Sequence, residues 1–327
     1  MRRLVIACVC VTTTLLTSCG MNQNTDPLQV TDNLTAATPA NSPASSTRVT
    51  GTVHPAPPIQ HTTFDRDTRT LVLASGSELI LIGRDGSRRT VPLAAAPASL
   101  HVTSGHVLAA LPEADQIARV DLRTATSTPT PVAGGPVEAT TLPDGRTAAI
   151  LGDTNTVAVL DHGKPTTSSE KFTGPAQLLP AGGELNVLDR LTTSITPVDP
   201  TNGRKGAGLR AGQGATNAVL DRFGRILTVD TRGQALLAFS TDPLVLKQRY
   251  PLPASPYGIA YDPKNDLAWV TMTATNEVVA YDVAGGQPRE TRRLPTISQA
   301  NSVTVDPDTG NVYIASANGA GYQVVKQ

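Results

Sequence analysis

The chain has 327 residues, of which 39% are hydrophobic and 17% charged, a balance that excludes both a disordered polymer and a bundle of membrane helices. Aromatic residues make up only 3%, so any core must be built from Val, Leu, Ile and Ala. The 27 basic residues equal the 27 acidic ones, which removes any global electrostatic case for nucleic-acid binding.

The N-terminus is organised for export. Met1-Arg2-Arg3 is a basic start, and Leu4 to Leu16 is an apolar run softened by Thr12 to Thr14. Together they form the charged region and the short hydrophobic region of a signal peptide, too short to persist as a membrane-spanning helix. The run ends in Leu16-Thr17-Ser18-Cys19, which resembles the lipobox of bacterial lipoproteins. That resemblance implies removal of residues 1–18 and a diacylglyceryl thioether on Cys19, the new N-terminus. Each buried CH₂ contributes roughly 0.8 kcal/mol, so two or more acyl chains attach a protein stably without a transmembrane helix. The implied address is the extracytoplasmic face of a cell membrane. Cys8 and Cys10 lie in the leader, and no cysteine follows Cys19. The mature domain therefore has no internal disulfide and no thiolate metal site.

Residues 19–46 are rich in Asn, Thr, Ala, Ser and Pro with almost no apolar periodicity. Such a segment cannot bury enough surface to offset its ordering entropy, and it is expected to be a tether. As a flexible coil it would reach roughly 30 Å.

From His61 onward the chain repeats itself, and the repeat decides the fold. Leu142 to Asp161, Leu220 to Ser240, Tyr261 to Asp282 and Val305 to Ser316 share one shape: a polar Asp/Pro/Gly turn, a short β-rich run, then a second turn. Turn residues bounding apolar runs of period two mark antiparallel hairpins. No stretch sustains a 3.6-residue pattern, so helices should be few. In register, the equivalent positions are His61, Ser99, Glu138, Gln177, Asn217, Gly258 and Ser302, spaced by 38, 39, 39, 40, 41 and 44 residues. Seven units of about four short strands predict an all-β, seven-bladed β-propeller over residues 47–327. A stacked solenoid is the alternative, but it would need dedicated capping repeats that are not found. The last unit offers only three runs, up to Val325. Thr47 to Val53 alternates as a half-buried strand should and is expected to supply the fourth, closing the ring and hiding an edge.

Val312-Tyr313-Ile314-Ala315-Ser316, Trp269-Val270-Thr271 and the run Asn276 to Asp282 resemble the YVTN class of propeller repeat. The lipobox, the Thr/Pro tether and the half from Gly212 to Val325, including Asp242 to Gly258, resemble actinobacterial lipoproteins of the LppL type. These resemblances imply fold strongly and function weakly, because propellers host many activities.

The search for catalytic motifs returns almost nothing: there is no His-Glu-x-x-His, no phosphate-binding Gly-Lys-Ser/Thr loop and no Gly-x-Ser-x-Gly elbow. Gly206-Ala207-Gly208-Leu209-Arg210-Ala211 matches a dinucleotide fingerprint in spelling only, since no strand-to-helix context surrounds it. Asp306-Pro307-Asp308-Thr309-Gly310 resembles half of a calcium loop but lacks the distal Glu, and is expected to be a turn. No cofactor beyond the lipid is expected. The candidate ligand site is the polar ring just before each innermost strand, at the mouth of the central channel: His61, Ser99, Glu138, Gln177, Asn217 and Ser302, with Tyr257 and Asn301 beside them. The leading expectation is a monomeric, non-enzymatic binding or scaffolding module for an envelope protein, a glycan or a small polar ligand. The alternative is a propeller hydrolase or lyase of the lactonase or streptogramin-lyase type with a channel metal. A ring carrying one carboxylate, Glu138, weighs against it.

Overall fold

The computed structural model describes residues 34–44 and 48–327. Residues 1–33, with the expected signal peptide and Cys19, and residues 45–47 lie outside the described residues. Among the described residues there are seven four-stranded antiparallel sheets and one short 3₁₀ turn, Pro112–Ala114.

Each sheet is one blade of a propeller. The innermost strands are His61–Asp65, Ser99–Thr103, Pro136–Thr141, Pro175–Ala181, Ala215–Leu220, Pro256–Asp262 and Ala300–Val305. The seven register positions read from the sequence each fall on the first three residues of one of them. Along each blade the strands follow in sequence order, except in the seventh. There the order outward is Ala300–Val305, Val312–Ser316, Tyr322–Val325 and finally Thr52–His54. The closing strand pairs antiparallel with the last one, with Thr52 opposite Val324, Val53 opposite Gln323 and His54 opposite Tyr322. It is shorter than the run expected, and it begins after Gly51, whose φ of +82° breaks the extended backbone.

The core is a circle of seams between blades rather than one central mass. Leu79, Leu81, Val107 and Val120 join the first blade to the second, and Leu227, Leu236, Val270 and Val279 join the fifth to the sixth. Ile59, Leu71, Leu73, Ile80, Ala315 and Tyr322 join the first to the seventh. Val, Leu, Ile and Ala fill these seams, as the scarcity of aromatics requires, with Trp269, Tyr281 and Phe239 as fully buried exceptions.

Two faces follow from the meander. Each inner strand begins on what is here named the entry face, and the turn between a blade's second and third strands returns to that face. The turn between its first and second strands lies on the opposite, exit face. Buried aspartates fix turns on both. On the exit face, Asp306 accepts hydrogen bonds from the N–H groups of Asp308 and Thr309 and from the Thr309 hydroxyl. The Asp306 to Gly310 motif is thus a hairpin turn, held further by the pairs Arg66–Asp308 and Arg69–Asp306. Gly206 to Ala211 leads into the outermost strand of the fourth blade, Leu209–Arg210, with no helix after it.

Candidate functional site

The inner strands enclose an axial channel of about 760 Å³, lined from the entry face by Ala98, Ser99 and Glu138 and towards the exit face by Asp221, Arg222 and Tyr261. Seven of the eight ring residues line it: His61, Ser99, Glu138, Gln177, Asn217, Asn301 and Ser302. Tyr257 does not. It sits where the pairing of its strand shifts between Pro256 and Ile259, and its contribution is a backbone carbonyl. Equivalent register shifts occur at the start of the inner strands of blades three, four, five and seven. A bulge of this kind re-aims side chains, and Glu138, Gln177, Asn217 and Ser302 follow one, whereas His61 and Ser99 line the channel from strands of unbroken register.

Three of the ring side chains are engaged by the next blade. The Gln177 side chain donates to the Ala218 carbonyl at 2.7 Å and accepts from the Ala218 N–H at 3.0 Å. Asn217 donates to the Tyr257 carbonyl at 3.0 Å, and the Ser302 hydroxyl accepts from the Thr62 N–H at 3.0 Å. These bonds stitch blade four to five, five to six and seven to one. Polar residues at this register position thus have a packing role in three of the blades.

Glu138 differs from these three. Its carboxyl is buried, and burial raises its pKa to about 8, against the smaller opposing pull of the Ser99 hydroxyl and the Ala139 N–H. His61 is held neutral by the same cause, its pKa lowered by burial to about 4. His101, one blade on, is also lowered by burial and lies 3.2 Å from the Thr140 hydroxyl. Near pH 7 this part of the wall is polar and uncharged. His54 stacks on Tyr322, His106 pairs with Asp121 at 3.5 Å, and His162 is exposed. Among the described residues, no three His, Cys, Asp or Glu side chains converge as a metal would require.

Two features escaped the sequence reading. At the exit end of the channel, Arg222 pairs with Asp266 at 2.6 Å, the Tyr261 hydroxyl donates to Asp266 at 2.6 Å, and Arg225 pairs with Asp221 at 2.6 Å. Phe223, half exposed, lies beneath the guanidinium groups of Arg222 and Arg225. The signal was present in Asp221-Arg222-Phe223-Gly224-Arg225, which was read only as a turn.

The second feature is the segment 34–44, expected to belong to the tether. It lies along the entry face as an extended strap. Arg232 donates to the Thr35 carbonyl and Arg190, which lines the channel, donates to the Ala37 carbonyl, both at 2.9 Å. The Ala40 N–H donates to the Thr273 hydroxyl, and the Ser42 hydroxyl donates to the Thr273 carbonyl. Gln299 clasps the strap three times: its side chain donates to the Ala40 carbonyl and accepts from the Ser42 N–H, and its own N–H donates to the Ser42 hydroxyl. Asn276 donates to the Pro43 carbonyl. Ala37 is buried, with its methyl over Gly214. These bonds go to blades four to seven, whereas His61, Ser99 and Glu138 belong to blades one to three. At about 1 kcal/mol per bond, the strap is held weakly against the cost of ordering it, and it should open well before the blades do.

No family model and no curated protein matches the chain. Solved structures do. A Kuenenia stuttgartiensis hydrazine synthase chain is similar at 18% identity and a TM-score of 0.70, covering 86% of this chain and 98% of its own. A streptogramin B lyase is similar at 16% identity and 0.70, covering 86% and 97%. A catalytically inactive virginiamycin B lyase of Staphylococcus aureus, solved with quinupristin, is similar at 13% and 0.70, covering 86% and 98%. At such identities the likeness is one of fold, and it places this chain among the β-propellers.

Proposed function

We propose that the chain is a lipid-anchored, extracytoplasmic binding propeller of the LppL-like type, presenting its channel and loops to an uncharged polar ligand or an envelope partner rather than carrying out a reaction. The observation that carries this is the state of the channel wall. The amides of Gln177 and Asn217 and the hydroxyl of Ser302 are spent on joining blades, and its one ring carboxyl, Glu138, is pushed by burial to about 8. No hydrogen bond joins it to the neutral His61 that would have to act as its base. General acid–base catalysis wants both partners matched to the working pH and within reach of one substrate atom. A protonated carboxyl both donates and accepts, which suits sugar hydroxyls or amides better than a cation. The anchor rests on Leu16-Thr17-Ser18-Cys19.

Two measurements test the reading. Intact mass of membrane-extracted protein should give an N-terminus at Cys19 carrying acyl mass, lost in Cys19→Ala. Crosslinking in intact cells followed by pull-down should yield a defined envelope partner or glycan. An unacylated N-terminus elsewhere would overturn the anchor.

A second reading, a lyase acting at the channel, is favoured by the likeness to streptogramin lyases and by a carboxyl whose proton is exchangeable near neutral pH. Stoichiometric divalent metal in the purified protein, with loss of a streptogramin B on incubation, would replace the binding reading with this one.

A further inference from the structure

The strap bears on how the propeller sits on its membrane. Residues 34–44 are bonded to the entry face through Arg190, Arg232, Thr273, Asn276 and Gln299. Every one of those partners lies in a turn between second and third strands or just before an inner strand. The described chain therefore begins on that face, at Leu34. Only residues 20–33 separate Leu34 from Cys19.

We infer that the strap turns the entry face of the propeller towards the membrane and the exit face, which carries Phe223 beside Arg222 and Arg225, away from it. This rests on the anchor at Cys19. The argument is one of reach. Fourteen residues span at most about 50 Å when fully drawn out. Presenting the exit face to the membrane would require this spacer to pass from the fifth blade to the rim, two strands or about 10 Å away, and then down the blade. Strands of five to seven residues rise about 20 Å, before their turns are counted. More than half of the contour would be consumed, and a chain drawn out that far has few conformations left. Holding the entry face down consumes none of it. Without the strap the free spacer would run from residue 20 to residue 50, and its length would impose no preference. Docking the segment is what converts a long leash into an orienting one.

The domain has no cysteine of its own, and the thiol of an acylated Cys19 is blocked, so single introduced thiols report cleanly. Asp67 and Ser77 are exposed turn residues of the same blade, Asp67 on the exit face and Ser77 on the entry face. In the full chain on intact spheroplasts, Asp67→Cys should react with a bulky polyethylene-glycol maleimide at least fivefold faster than Ser77→Cys. The two should react alike after extraction into detergent. Adding Ser42→Ala with Gln299→Ala should abolish the difference on the membrane and raise hydrogen exchange of residues 34–44 about tenfold or more, with the blades unchanged. Anchored protein in which both thiols react equally, or Ser77→Cys reacts faster, would overturn the orientation. Fast exchange of residues 34–44 in the unsubstituted chain would overturn the docking beneath it. Protein lacking acyl mass would overturn the anchor reading, and the orientation with it, while leaving the exchange result standing.

Discussion

The His54 imidazole stacks on the Tyr322 ring with centroids 4.9 Å apart and planes 17° from parallel, joining the first strand of the chain to the last. Around this pair, Thr52 to His54 completes the seventh blade, and the seam beneath it contains Leu71, Ile80 and Ala315. A propeller closed in this way hides the edge that Tyr322–Val325 would otherwise expose.

Removing the closing strand should therefore weaken the whole ring. A chain beginning at Pro57 should be about 2–4 kcal/mol less stable than one beginning at Arg48, from lost ladder bonds and the lost stacked pair. Gly51→Val is the subtler test. A Cβ there would fall 2.1 Å from the Val324 carbonyl oxygen, at a φ of +82°, so it should give a similar loss without shortening the chain. Urea midpoints decide it, provided the slope of the transition is unchanged. Equal midpoints would show the strand to be ornamental.

The stitching of blades predicts a graded series at the channel ring. Gln177→Ala leaves both the N–H and the carbonyl of Ala218 without their side-chain partner and should cost about 1–3 kcal/mol. Asn217→Ala leaves one carbonyl, that of Tyr257, and should cost about 1 kcal/mol. Gln177→Glu should be worse than Gln177→Ala, because it turns a carboxylate oxygen towards the Ala218 carbonyl. Equilibrium unfolding at pH 7 checks the order, and a series with no cost at any position would return the ring to ligand binding.

Blade number, strand count and register were legible because the turns are written in residues with a mechanism. The Asp that begins Asp306-Pro307-Asp308-Thr309-Gly310 caps its own turn through its carboxylate, a local bond that leaves a local spelling. The inter-blade bonds of Gln177 and Asn217 reach about forty residues forward and depend on a bulge whose presence no single residue announces. The strap was illegible for a stronger reason. Ala40 and Ser42 contact Thr273 and Gln299 across more than 230 residues of sequence, using, apart from the Ser42 hydroxyl, backbone groups that every residue carries. A low-periodicity composition excludes a buried core element, but it does not exclude an extended segment held by other side chains.

Asp230 should prove a support for that strap. Its carboxylate accepts from the N–H groups of Gln213, Gly214 and Gly233, fixing the loop on which Ala37 rests. Gly212 crowds it so closely that a Cβ would fall 1.9 Å from the carboxylate. Asp230→Ala should cost about 2–4 kcal/mol, since three backbone donors, that of Gly214 buried, lose a carboxylate acceptor, and Asp230→Asn should cost less. Hydrogen exchange should show residues 34–44 loosened in Asp230→Ala beyond the global loss. Unchanged exchange there would mean the strap does not depend on this loop.

The pH dependence of stability isolates Glu138. Its folded pKa of about 8 stands above the ordinary value of 4.5. The folded state thus holds a proton that the unfolded chain releases, and the stability linked to it is full below pH 4.5 and is lost as the pH rises to about 8. His61, lowered from 6.5 to about 4, works in the opposite sense: stability rises with pH from about 4 to 6.5 and is constant above. His101, also lowered, likewise acts only below its unfolded value. From pH 4.5 to 6.5 the carboxyl and the imidazoles offset one another. From 6.5 to 8 Glu138 acts alone among them, with a slope of at most about 1.4 kcal/mol per pH unit. Unsubstituted protein should therefore lose roughly 2 kcal/mol across that window, while Glu138→Gln, which keeps the shape and cannot ionise, should stay flat. Binding of an uncharged hydroxyl-bearing ligand to the channel should weaken over the same window, as the donor proton is lost. Urea unfolding at fixed ionic strength from pH 6 to 9 supplies the stability curves. An identical fall in Glu138→Gln would assign the slope to other groups and leave this carboxyl without the protonated state on which its proposed part in binding depends.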